Sequence, residues 1–259
     1  MFDTIRLAIQ RYMHPLAQLS CGDIPSGDIG QVLGHLSDTL DRLIVRAVRL
    51  KNDVEDSDIS LFGPFIARAT IEVAFTAIIA RFDPYRVLAI RKSQLLQVYD
   101  PQVRNPISFN WTADVRGEEK CKEWDARPGL RDLQRALLCK HFNDLFWEEA
   151  FSNLLDQVDF HRGSSWMVNL RKIEPEGFWN SMRSQGDRLY SELSKGIHHE
   201  FVIPAAVKFD RITVVDLLNR SWELIAALGV TACYSPAIKP LARETAIDLF
   251  EEAQQELNK

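Results

Sequence analysis

A chain of 259 residues with 31 basic and 36 acidic side chains, net charge −5, has no global electrostatic attraction for nucleic acid or an anionic membrane. Its 46% hydrophobic and 26% charged content excludes wholesale disorder and leaves ample apolar surface for a large core. Four scattered cysteines (Cys21, Cys121, Cys139 and Cys233), without CxxC or Cys/His ligand spacing and with no recognisable signal peptide, point to reduced thiols in a cytoplasmic protein.

In chain order, a helix is expected from Phe2 to Leu19, with Pro15 as a break. The next is the clearest, from Asp28 to Leu50. Ile29, Val32, Leu33, Leu36, Leu40, Leu43, Ile44, Ala47 and Leu50 recur at spacings of three and four and so make one stripe, with Ser26 at the N-cap position. After an acidic cluster (Asp53, Glu55, Asp56, Asp58), Gly63-Pro64 is expected to open a helix from Phe65 to Arg81 that buries Ile71, Phe75, Ile78 and Phe82. Asp83-Pro84 punctuates it, and a third helix follows over Tyr85 to Val98.

Residues 100–128 carry Pro101, Pro106, Gly117 and Pro128 and read as a loop-rich insertion, with a short strand possible near Ile107 to Trp111. Helices resume over Leu130 to Lys140 and Asp144 to Gln157, before a polar turn from Asp159 to Ser165. Pro175 starts a helix carried by Phe178, Trp179, Met182, Leu189, Leu193 and Ile197 to Phe201. Val207 to Ile212 reads as a brief extended link. Thr213 with Asp216 resembles a capping box for a helix ending at Ala232, and a last amphipathic helix covers Leu241 to Leu257. The fold class is therefore all-α: a multi-helix bundle, taken as one domain over 1–259, with a boundary near 158–175 as the alternative. The most apolar runs, Ala69 to Ala80 and Leu224 to Tyr234, are too short to span a bilayer, so no membrane is expected.

No P-loop, GxGxxG, GxSxG or HExxH is present, and no cofactor or metal is expected. Adjacent side chains on a helix diverge by about 100°, which argues against His198-His199-Glu200 as a metal site. The segment from Tyr190 to Phe201 is the richest in chemistry. Tyr190, Ser194 and His198 fall four apart and form a polar column beside Leu189, Leu193 and Ile197; Glu192, Lys195 and His199 form another. One reading makes His198 an acid or base, oriented by Tyr190 or Ser194, with Lys195 and His199 offering positive charge to a phosphate. The other makes both imidazoles plain helix-end residues.

Arg68 and Glu72, one turn apart on an apolar helix, are either a structural ion pair or an anion-binding guanidinium with its support. Arg86, Arg91 and Lys92, followed by Phe109 and Trp111, are a basic and aromatic RNA-binding candidate; the alternative for Trp111 is a loop anchor packed on the core.

The run Leu189-Tyr190-x-x-Leu193-Ser194-x-x-x-His198, with Arg68-x-x-x-Glu72 in an earlier helix, resembles a pattern in helical proteins related to the HEPN superfamily (higher eukaryote and prokaryote nucleotide-binding). The resemblance implies a helical bundle, a bacterial defence or toxin role, a metal-independent RNase or nucleotide-binding activity, and a dimer. It carries over His198 as the catalytic position. The Arg that active HEPN RNases place with four to six residues between it and that His is absent, since Ser191, Glu192 and Leu193 occupy the window. Two functions are thus in play: a protein acting on RNA or a nucleotide through a His/Lys/Arg site, or a non-catalytic interaction or scaffold subunit whose surface, including Trp147, Trp166, Trp179 and Trp222, binds a partner.

Overall fold

The computed structural model describes residues 13–53, 55–96, 109–117, 136–158, 164–197, 209–238 and 241–257. Among them every regular element is helical and no strand occurs: the chain is an all-α multi-helix bundle. The helices are α1 (Pro15–Cys21), α2 (Asp28–Asp53), α3 (Asp56–Phe82), α4 (Pro84–Leu95), α5 (Lys140–Phe142), α6 (Glu148–Gln157), α7 (Ser165–Leu170), α8 (Phe178–Ile197), α9 (Arg211–Ala232) and α10 (Arg243–Leu257). Two π-helical segments accompany them, Trp111–Arg116 and, between α5 and α6, Asn143–Trp147.

Helices α3 and α9 form the centre, packing on each other and each on α1 and α8; α2 covers α3, and α10 closes over α1 and α9. Both central helices are apolar nearly all round, as helices surrounded by protein must be. By length and composition α3 is also the one helix among the described residues able to cross a bilayer, yet 61% of its most apolar window is buried inside the fold. In α2 the expected stripe is the buried face: Leu33, Leu40, Ile44, Ala47 and Leu50 are all within 3% of full burial.

Several boundaries differ from those expected, each for a local reason. Helix α3 begins at Asp56, and Gly63-Pro64 lies inside it. Asp56 and Asp58 sit in its first turn, where the helix dipole favours acids. Gly63 and Pro64 mark close helix crossings: a Cβ on Gly63 would meet Val214 Cγ1 of α9 at 2.2 Å, and one on Gly196 of α8 would meet Pro64 Cβ at 2.5 Å. The missing N–H of Pro64 is tolerated where a bulkier contact is not.

Pro175 opens a 3-10 turn, Pro175–Gly177, and α8 proper starts at Phe178. The cap of α9 is Asp210, whose side chain accepts from Thr213 N at 2.8 Å; Asp216 pairs instead with Arg220. The last helix starts at Arg243. Within the loop-rich insertion, Asn110 is extended, but the chain turns at once into the π segment, so 109–111 is no strand. The expected helix over Leu130 to Lys140 meets a non-helical stretch at 136–139, and α5 begins only at Lys140.

Candidate functional site

The close crossing at Pro64 and Gly196 brings the polar residues of α3 and α8 together. One turn beyond Pro64, Arg68 points at α8. Its Nη2 donates to Tyr190 OH at 2.5 Å, its Nη1 to Ser194 Oγ at 3.3 Å, and its Nε to Glu72 Oε1 at 3.0 Å. The guanidinium also lies over the Tyr190 ring, 4.3 Å from its centroid. Ser194 donates in turn to the Tyr190 carbonyl at 2.5 Å. Leu189 and Leu193, the neighbouring column, are buried. Burial, and then the Glu72 carboxylate, raise the pKa of Tyr190 above the ordinary phenol range despite Arg68. At neutral pH Tyr190 is therefore a hydroxyl that can donate, not a phenolate base.

Trp111 completes the site. Its indole stacks on Tyr190 (centroids 4.3 Å apart, planes at 10°) and on Phe75 of α3 (5.4 Å, 17°). Its indole edge lies against α8 at Gly186, where a Cβ would make ordinary contact with Trp111 Cη2, at 3.4 Å. The segment carrying Trp111 is held from several sides. Asn110 Oδ1 caps its π turn by accepting from Thr112 N and Ala113 N. Asp114 is buried, pairs with Arg86 of α4, and accepts from Asn110 N at 2.5 Å. Leu137 N and Leu138 N donate to the Asp114 and Val115 carbonyls, and Arg116 pairs with Asp187 of α8 at 3.0 Å.

The Trp111–Tyr190 stack is a wall with a cleft on either side. The first, about 460 Å³, exposes Arg68, Glu72, Thr76 and Asn110 beside the two rings. The second, about 620 Å³, exposes Arg116, Asp187, Ser191, Ser194 and Lys195 beside them. Arg68, Glu72, Tyr190 and Ser194 are thus brought into one cluster. Lys195 is exposed, opens onto the second cleft only, and has no ion-pair or hydrogen-bond partner among the described residues. His198 and His199 lie outside the described residues. Among the described residues no group of three His, Cys, Asp or Glu side chains could hold a metal ion.

Other candidates are accounted for differently. Arg86 is committed to Asp114, and Arg91 to Asp28 and Gln31, which leaves Lys92 as the exposed cation of that trio. Trp111 is indeed a loop anchor, and it is also a wall of both clefts. Trp147 and Trp222 are fully buried and Trp166 is nearly so, which removes them from any docking surface; Trp179 is half-buried. The residues that sequence reasoning did not single out are Asn110, Asp114, Arg116 and Asp187. The one signal for them was a capping-competent Asn and a lone Asp flanking a Trp in a proline-rich stretch.

What fold and site define is an all-α protein with an arginine–tyrosine–serine cluster on the wall between two clefts. Neither a family model, nor a curated protein, nor a solved structure matches the chain.

Proposed function

We propose that the chain is a HEPN-like helical protein of bacterial defence or toxin type, acting on RNA or binding a nucleotide in the cytoplasm, as a homodimer or with a partner protein. The supporting observation is that Arg68 of α3 holds Tyr190 and Ser194 of α8, on the same helix run that leads in sequence to His198. In this reading His198 moves the proton, without a metal, and the Tyr190 hydroxyl donates to a phosphate oxygen. Lys195, exposed on the second cleft, supplies the countercharge. Arg68 shares its charge with Glu72, so its part is chiefly to fix the phenol and the serine.

The test is cleavage of RNA by the purified protein, abolished by His198→Ala with the circular dichroism unchanged. Failure to cleave any RNA near neutral pH ends the nuclease version. Lys195→Ala should weaken RNA binding at all sequences and reduce the slope of log affinity against log salt by about one.

A second reading, a non-catalytic interaction subunit, is favoured by Leu61, Phe62 and Phe65, which are 59%, 44% and 57% exposed along the first half of α3. A protein that is monomeric by light scattering and recovers no partner in a pull-down would count against it.

A further inference from the structure

The first cleft differs in chemistry from the second. Its charged groups are a touching pair, Arg68 Nε to Glu72 Oε1 at 3.0 Å, with side chains 22% and 47% exposed. A guanidinium and a carboxylate this close nearly cancel at a distance, so the cleft attracts neither an isolated anion nor an isolated cation. A phosphate reaching Arg68 would also meet Glu72. A ligand bearing both charges on one carbon suffers no such penalty, because it can lie head to tail along the pair.

Arg68 has the donors for this. Three of its five N–H groups are spent on Glu72, Ser194 and Tyr190, which leaves one on each Nη without a hydrogen bond among the described residues. The stripe continues along α3 with Thr76 and then Ile79, which is buried. Beside the charge pair the lining is apolar: Val73 and Ile79 on α3 itself, with Leu36 of α2 and Val115 of the π segment.

We propose that this cleft is a binding site for a small zwitterion with an aliphatic side chain, such as a free branched α-amino acid. Its carboxylate takes the two remaining Arg68 N–H groups and its ammonium takes Glu72. The side chain lies against Leu36, Val73 and Val115. Occupancy is felt by the second cleft, because the guanidinium that binds the ligand is the one that holds Tyr190 and Ser194. The inference does not depend on nuclease activity or on His198.

The test is titration calorimetry of the full chain with L-leucine, its amide, 4-methylpentanoate and inorganic phosphate. L-leucine should bind, the two singly charged analogues about tenfold more weakly or less, and phosphate not at this cleft. Glu72→Gln alters an exposed side chain, so its fold is retained; it should erase the preference, with 4-methylpentanoate binding as well as L-leucine. Lys195→Ala should leave leucine binding unchanged while weakening any binding of phosphate. Equal binding of 4-methylpentanoate and L-leucine by the wild-type protein would overturn the proposal, as would no heat from L-leucine at millimolar concentration or an unchanged preference in Glu72→Gln.

Discussion

Arg68 and Arg81 stand on the same helix, yet one meets side chains at a cleft and the other meets main chain at a helix end. Arg81, in the last turn of α3, sends Nη1 to the carbonyls of Leu19 (2.8 Å) and Ser20 (3.5 Å), and Nη2 to Cys233 Sγ (3.5 Å). Those carbonyls belong to the end of α1, where the helix leaves acceptors without partners and its dipole favours a cation. The chain departs through Gly22 at φ +64°, and a Cβ there would stand 2.8 Å from Arg81 Nε. Arg68 instead donates to a phenol, a hydroxyl and a carboxylate, keeps two N–H groups in reserve, and borders open space. The same residue type on one helix thus serves packing where its partners are fixed carbonyls, and recognition where they are side chains beside a cleft.

The contrast breaks if the two arginines cost the same to remove. Arg81→Met should destabilise most, by about 3 kcal/mol in urea unfolding, because it strips a charged donor from buried carbonyls.

The same end of the molecule should also be the acid-sensitive one. His14 caps α1 through Nδ1, which accepts from Leu16 N, and its Nε2 lies 3.3 Å from Glu256 of α10. Burial lowers its pKa from 6.5 to about 4, against the opposing pull of Asp41. Between those values the unfolded chain takes up a proton that the native one refuses. Stability is therefore full at neutral pH, falls as the pH drops from about 6.5, and levels off near 4, with a loss approaching roughly 3 kcal/mol. His14→Asn keeps a capping oxygen and should flatten that slope in acid titrations of the unfolding midpoint.

Gly22→Ala should cost less, about 1–2 kcal/mol, from left-handed backbone strain and the push on Arg81. Arg68→Ala should fall to about 1 kcal/mol, since its partner Glu72 is 47% exposed and solvent weakens the ion pair. It should instead raise the Tyr190 titration point further, whereas Glu72→Gln should lower it, both read from tyrosinate absorbance. A stability loss for Arg68→Ala as large as that for Arg81→Met would erase the distinction between the two ends.

Helix existence was legible where apolar spacing was long and regular. Leu33, Leu40, Ile44, Ala47 and Leu50 of the α2 stripe, the face Ile71, Phe75 and Ile78 of α3, and the line Phe178, Met182, Leu189 and Leu193 of α8 are buried, and the other four stripe residues of α2 pack partly buried against the core. The pairing of Arg68 with Glu72, and the shared column of Tyr190 and Ser194, also follow from helical geometry alone. Gly63-Pro64 misled because a helix start and a tight helix crossing ask for the same two residues. Trp111 was ambiguous because a loop aromatic can cover a core or face solvent, and only its neighbours decide.

By itself, then, the chain determined its class and which residues share a helix face, because those depend on neighbours three and four positions away. That Arg68 meets Tyr190 and Ser194, that Arg81 meets Leu19, and that Trp111 divides two clefts were decided only in three dimensions. Each joins segments distant in sequence, and such contacts are set by where two small residues let helices approach, which no local periodicity records.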